Sequence, residues 1–122
     1  MSLDLSINVQ VAHYNLTHNL GLLASHIPVG TTTKYTSSNT TEQEELSLYS
    51  ILWEADEHCL YSPSDIREYL ITGLTYLETN YDDLLQYNPK NGYGNIDQII
   101  EVTRKLIADC RIYPEAQLHH CR

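Results

Sequence analysis

Nine residues near the start of the chain, LDLSINVQV at positions 3–11, alternate apolar and polar side chains without a fault. Leu3, Leu5, Ile7, Val9 and Val11 fall on one side, and Asp4, Ser6, Asn8 and Gln10 on the other. A strand points successive side chains to opposite faces, so a period of two predicts a strand with one buried and one wet face. Such a strand cannot stand alone. The other segment with strand character is AQLHHC, at 116–121. The chain therefore calls for a sheet made from its two ends, completed by a third short strand or by a second copy of the protein.

Between the ends the apolar spacing is helical. THNLGLLASHI places Leu16, Leu20, Leu23 and Ile27 on one stripe, with Thr17 as the N-cap. EELSLYSILWEADE turns Leu48, Leu52 and Trp53 inward. SPSDIREYLITGLTYLETN carries the best helix start, with Ser62 at the cap, Pro63 at the first position and Asp65 in a capping-box place. YDDLLQYN is a short helix ended by Pro89. The last stripe, Ile96, Ile99, Ile100, Thr103, Leu106, Ile107 and Cys110, spans 95–112 and stops before Pro114. The segment from Pro28 to Gln43 is rich in Thr, Ser and Gly and shows no periodicity, which predicts a loop. The expected fold is α+β: a single domain over 1–122, about four helices packed on a small sheet formed by the N-terminal and C-terminal strands, and a mobile Thr/Ser-rich loop at about 29–43.

Charge narrows the partners. Sixteen acidic residues face seven basic ones, for a formal net charge of −9. Nucleic-acid backbones are bound by clustered Lys and Arg that displace counterions, so a nucleic-acid partner is not expected. A basic protein surface remains open as a partner. Three cysteines, Cys59, Cys110 and Cys121, without a C-x-x-C pair, suggest free thiols in a reducing compartment. The N-terminus shows neither the basic nor the apolar region of a signal peptide, and no apolar run approaches ~18 residues. The expectation is a cytoplasmic protein with no membrane association; a homo-oligomer is left open.

The densest local signal is YNPKNGYGNID, at 87–97. Pro89 ends the preceding helix and holds Asn88 extended. Gly92 and Gly94 permit positive φ, Asn91 tolerates it, and Asn95 can cap the next helix. Turn chemistry accounts for these residues but not for Tyr87 and Tyr93. A glycine-flanked helix start offers free N–H groups to an anion, although Gly-x-Gly without a third glycine or a P-loop lysine is not a nucleotide fingerprint.

Together with THNL (Thr17–Leu20), WEADE around Trp53 and the Asp-Cys-Arg…Pro-Glu-Ala segment near the end, this stretch resembles a family of small bacteriophage and prophage proteins. Those carry a THNL segment after an N-terminal strand, a W-x-P-E segment mid-chain and an NP-x-NG-W/Y-G segment before the last helix. The chain departs from the pattern at Ala55, where the family has proline, and in its longer Thr/Ser loop. The matched residues are Thr17, His18, Asn19, Trp53, Asn88, Pro89, Asn91, Gly92, Tyr93 and Gly94. The resemblance implies a phage or mobile-element origin.

From these residues a ligand-binding cleft is expected, formed by His18, Asn19, Trp53, Asn91, Gly92, Tyr93 and Gly94, with Tyr93 or Trp53 stacking on a ring. The alternative is a polar network that fixes the strand–helix junction to the last helix turn. No metal site is expected. His119 and His120 are adjacent on a strand, His58 and Cys59 are adjacent, and no pair has tetrahedral zinc spacing. No cofactor is implied. The leading function is a non-catalytic accessory protein that binds a host protein or a small anionic, nucleotide-like metabolite, inhibiting a host defence or host enzyme. The alternatives are a small enzyme using His18 as general base, with Asn19 and Asn91 orienting, and a structural or assembly component.

Overall fold

The computed structural model describes residues 2–7, 12–35, 40–90 and 94–121. The molecule is a small α+β protein of helices and antiparallel strands. β1 (Ser2–Ile7) is the first part of the alternating segment; Leu3 and Leu5 are 1% exposed, as period two demands. Its continuation, residues 8–11, lies outside the described residues. β2 (Ala12–Thr17) then pairs antiparallel with β1, Leu3 opposite Leu16 and Leu5 opposite Tyr14. Leu16 is buried as expected, but on this strand and not on a helix. The helix expected from Thr17 shrinks to a 3-10 turn at His18–Leu20 and α1 (Gly21–Ser25).

The largest departure follows. The segment at 29–43, expected as a loop, forms most of a hairpin: β3 (Pro28–Tyr35) pairs antiparallel with β4 (Thr41–Ser47), Thr31 opposite Glu45 and Thr33 opposite Gln43. Residues 36–39 lie outside the described residues. Among the ribbon's described side chains, those at its base enter the core, Val29 and Leu46, at 3% and 2% exposed. With so few positions buried, hydrophobic alternation cannot announce the strands; the run of β-branched threonines is what favours them. A bulge between Pro28 and Gly30 bends the ribbon where it leaves the core.

α2 (Leu48–Glu54) starts directly from β4, with Ser47 as cap: the Ser47 Oγ accepts from Ser50 N–H, and Ser50 Oγ accepts from Ser47 N–H. Leu48, Leu52 and Trp53 face inward. A 3-10 turn at Ala55–His58 follows, closed by Cys59 at φ 62°. α3 (Pro63–Thr79) begins where the sequence predicts, its Asp65 carboxylate accepting from the amides of Tyr61 and Ser62. α4 (Tyr81–Leu84) runs into a 3-10 turn at Leu85–Tyr87. α5 (Ile96–Ile112) buries Ile96, Ile99, Ile100, Thr103, Leu106 and Cys110. Thr103 is buried, and its hydroxyl donates to the Ile99 carbonyl at 2.7 Å, which satisfies the one polar group on that stripe. The described residues thus contain five α-helices, not about four; α1 and α4, of five and four residues, are too short to show a helical period.

β5 (Leu118–Cys121) pairs antiparallel with β1, giving a three-stranded sheet ordered β2-β1-β5 that holds both ends of the chain. The Leu118 amide also donates to the Tyr61 carbonyl, tying the approach to β5 to the start of α3. One core joins Leu3, Leu5 and Leu16 of this sheet to Val29, Leu46, α2, α3 and α5. Replacing Leu5 by Asp places a charge in that core and is expected to cost more than ~3 kcal/mol in urea unfolding, whereas Thr33→Asp, on the exposed ribbon, should stay within ~0.5 kcal/mol. Equal effects would contradict this division between core and ribbon.

Candidate functional site

Of the residues expected to line a cleft, the structure brings His18 and Trp53 together. The 3-10 turn after β2 sets the His18 ring edge-on to the indole, with centroids 6.2 Å apart and planes at 76°. Trp53 is 1% exposed, and Tyr49, one helical turn earlier on α2, stacks on it at 5.1 Å and 12°. The indole is therefore a core ring, and the expected stacking on a ligand gives way to stacking on Tyr49. His18 and Asn19 are exposed beside it. Asn91, Gly92 and Tyr93 lie outside the described residues, and with them the expected contact between that turn and His18. Gly94 is half-buried at φ 94°, a conformation glycine adopts freely.

The turn before α5 has an evident structural task. Asn88 takes the extended conformation that Pro89 imposes, φ −57° and ψ 138°. Its carboxamide oxygen accepts from Ile96 N–H at 2.8 Å, and Asn95 accepts from Gln98 N–H at 3.0 Å. Two of the first amides of α5 are thus filled by the protein's own side chains. Asp97 adds a carboxylate to the same first turn and accepts the Tyr81 hydroxyl at 2.9 Å, a bond that raises the phenol's pKa. A helix start already capped and carrying a carboxylate is a poor anion site. The expected phosphate contact after Gly94 is not supported by this geometry.

Two described clefts instead border the β3–β4 ribbon. One, of about 610 Å³, is lined by Ser25, His26, Thr31, Glu45, Ser47 and Ser50, among others. His26 follows α1 and stacks flat on Tyr87, centroids 3.9 Å apart and planes at 12°. The other, of about 510 Å³, runs between Pro28 and Gly30 of β3 and the Ile71, Thr72, Thr75 and Tyr76 face of α3. Tyr69 of α3 supports the ribbon from beneath, its hydroxyl donating to the Thr31 carbonyl at 3.2 Å. His58 supports it from the 3-10 turn after α2: its ring nitrogens lie 3.4 Å from Glu44 and 4.0 Å from Glu54.

Sequence reasoning missed His26 and its contact with Tyr87, which are 61 positions apart and share no motif. It also missed the ribbon, the element both clefts share. Among the described residues no group of three His, Cys, Asp or Glu stands close enough to hold a metal ion. No described helix is long and apolar enough to cross a membrane. Cys110 is buried on α5, and burial, then Asp109, pushes its thiol up to about 12, so it packs as a neutral group and not as a nucleophile. Compared with known proteins, the chain matches no family model, no curated protein and no solved structure.

The burial of Trp53 makes the His18–Trp53 pair separable by mutation. Trp53→Ala should cost about 3–5 kcal/mol in chemical denaturation, and His18→Ala less than ~1 kcal/mol, because its ring is exposed. A mild Trp53→Ala would contradict a core role for the indole.

Proposed function

We propose that this is a non-catalytic accessory protein of the phage or prophage type, working in the host cytoplasm by binding a host protein through the β3–β4 ribbon. Inhibition of a host defence or metabolic enzyme is the concrete form of that activity. The ribbon is the observation that carries the reading. It is anchored at its base, and Thr31, Thr33, Gln43 and Glu45 form one exposed face along paired positions. Polar, shape-holding and bordered by two clefts, it can lay backbone and side chains against a partner while a partner side chain enters either cleft.

Its chemistry favours a basic partner surface. Glu42 and Glu45 are exposed on β4, and the whole chain carries a net charge of −9, which speeds encounter with a cationic patch. A nucleotide-like ligand at the sequence-predicted cluster has less in its favour, since Trp53 is buried and the start of α5 is capped. A catalytic role for His18 has less still: its described ring partner is the indole edge, which cannot orient a general base.

The test is affinity capture from a bacterial lysate with three proteins: wild type, the double variant Glu42→Lys/Glu45→Lys, and the control Glu101→Lys/Glu115→Lys, whose residues are exposed on and just after α5. Wild type and control are expected to retain the same host protein, and the ribbon variant to lose at least about tenfold in affinity for it (~1.4 kcal/mol) with its melting temperature within a few degrees. Undiminished capture by the ribbon variant would overturn the proposal.

A further inference from the structure

At the N-terminal end of α3, two arginines of this acidic chain share one cleft. A cleft of about 400 Å³ between α3 and α5 is lined by Ser64, Arg67, Glu68, Cys110, Arg111 and Pro114. The Ser64 amide donates to the Pro114 carbonyl at 3.1 Å, so the loop after α5 is held against the first turn of α3 and the cleft has a fixed wall. Two of the chain's seven basic residues face this one space. On the neighbouring stretch of α5, Arg104 and Lys105 are each neutralised at 2.9 Å, by Glu78 and Glu101. Arg67 and Arg111 are not treated that way. Arg111 makes no ion pair with a described residue, and Arg67 reaches only its chain neighbour Glu68, at 3.4 Å from a carboxylate that is 83% exposed.

The Nε of Arg67 is more telling. It is buried and has no hydrogen-bond partner among the described residues. A buried donor on a charged group is expensive to leave unpaired, so such a group calls for a partner. The pairing side of a guanidinium, Nε with one terminal nitrogen, matches two oxygens of an oxyanion in a fork geometry that lysine cannot reproduce. The Cys110 thiol at the floor is neutral, held protonated by burial and then by the nearby Asp109 carboxylate, whose charge Arg67 offsets. The Ser64 hydroxyl stands at the rim, 2.9 Å from the Ser62 hydroxyl, and can donate to a ligand when Ser62 is the donor of that pair.

We infer that Arg67, Arg111 and Ser64 form an anion site for the phosphate group of a small metabolite, separate from the ribbon. Arg67, its side chain 37% exposed, turns its Nε edge into the cleft to meet two phosphate oxygens, Arg111 neutralises the remaining charge from α5, and Glu68 stays in solvent. Two arginines are too few to track a nucleic-acid backbone, which needs a run of Lys and Arg, so the site takes a single phosphate group.

Titration of the full-length protein with inorganic phosphate, followed by calorimetry and by the arginine Nε resonances at constant ionic strength, tests this. Saturable binding with a Kd of about 1 mM or tighter is expected, together with a shift of the Arg67 Nε signal; acetate at the same ionic strength should give neither. Arg67→Gln and Arg111→Gln should each weaken phosphate binding at least tenfold, and Arg111, being exposed, keeps the test valid if Arg67→Gln perturbs folding. Glu68→Gln should tighten binding severalfold by removing the competing carboxylate. Non-saturable binding, equal response to acetate, or an Arg111→Gln variant that binds phosphate as wild type does would each overturn the inference.

Discussion

The architecture turns on the missing side chain at Gly73. A methyl group at that position of α3 would stand 3.0 Å from Val29 Cγ1 and 3.2 Å from Leu48 Cδ1, so the first residues of β3 and of α2 rest on bare helix backbone. The ribbon's two ends are also joined there, Leu48 N–H donating to the Ile27 carbonyl at 2.8 Å. One close approach therefore fixes the exit of β3, the return of β4, the start of α2 and the middle of α3. Gly30 repeats the device one step outward: at φ 140° it lets the strand pass over the Tyr69 ring, with which a Cβ would be in contact at 3.2 Å. Beyond Gly30 the ribbon leaves the core and becomes surface.

How far the sequence discloses this fold depends on whether burial leaves a pattern. β1, α3 and α5 bury one face along most of their length, and their periods of 2 and 3.6 are readable with their caps. β2 was equally readable: Ala12, Tyr14 and Leu16 alternate, but the helical spacing of Leu16, Leu20 and Leu23 obscured it, because an apolar residue at a strand's end can belong to either pattern. Among the described side chains of β3 and β4, the buried ones are Val29 and Leu46. Their stability as strands comes from each other's backbone and from threonine's β preference, neither of which hydrophobic periodicity measures.

The site was less legible than the fold. Polar and aromatic residues at 17–19, 53 and 88–94 suggested a cleft, and two of them, His18 and Trp53, do meet. What they meet over is core packing, since Tyr49 occupies the indole face. Asn88 and Asn95 proved to be caps, a role that spacing from Ile96 and Gln98 makes intelligible once the helix start is fixed. The His26–Tyr87 stack and the cleft that Arg67 and Arg111 both line depend on positions far apart in the chain, and local sequence carries no trace of either.

The ribbon is a surface element standing on a core that does not need its outer half. Native-state hydrogen exchange tests it most directly, because local opening free energies run from near zero at frayed elements up to the global value in the core. The Leu48 amide, bonded across the ribbon's base, should exchange only with global unfolding, as should Leu70 in α3. The outer ribbon amides around Thr33 and Gln43 should exchange through local opening at a far lower free energy. Outer amides protected to the same degree as Leu48 and Leu70 would mean that the ribbon folds as part of the core, and would contradict the account.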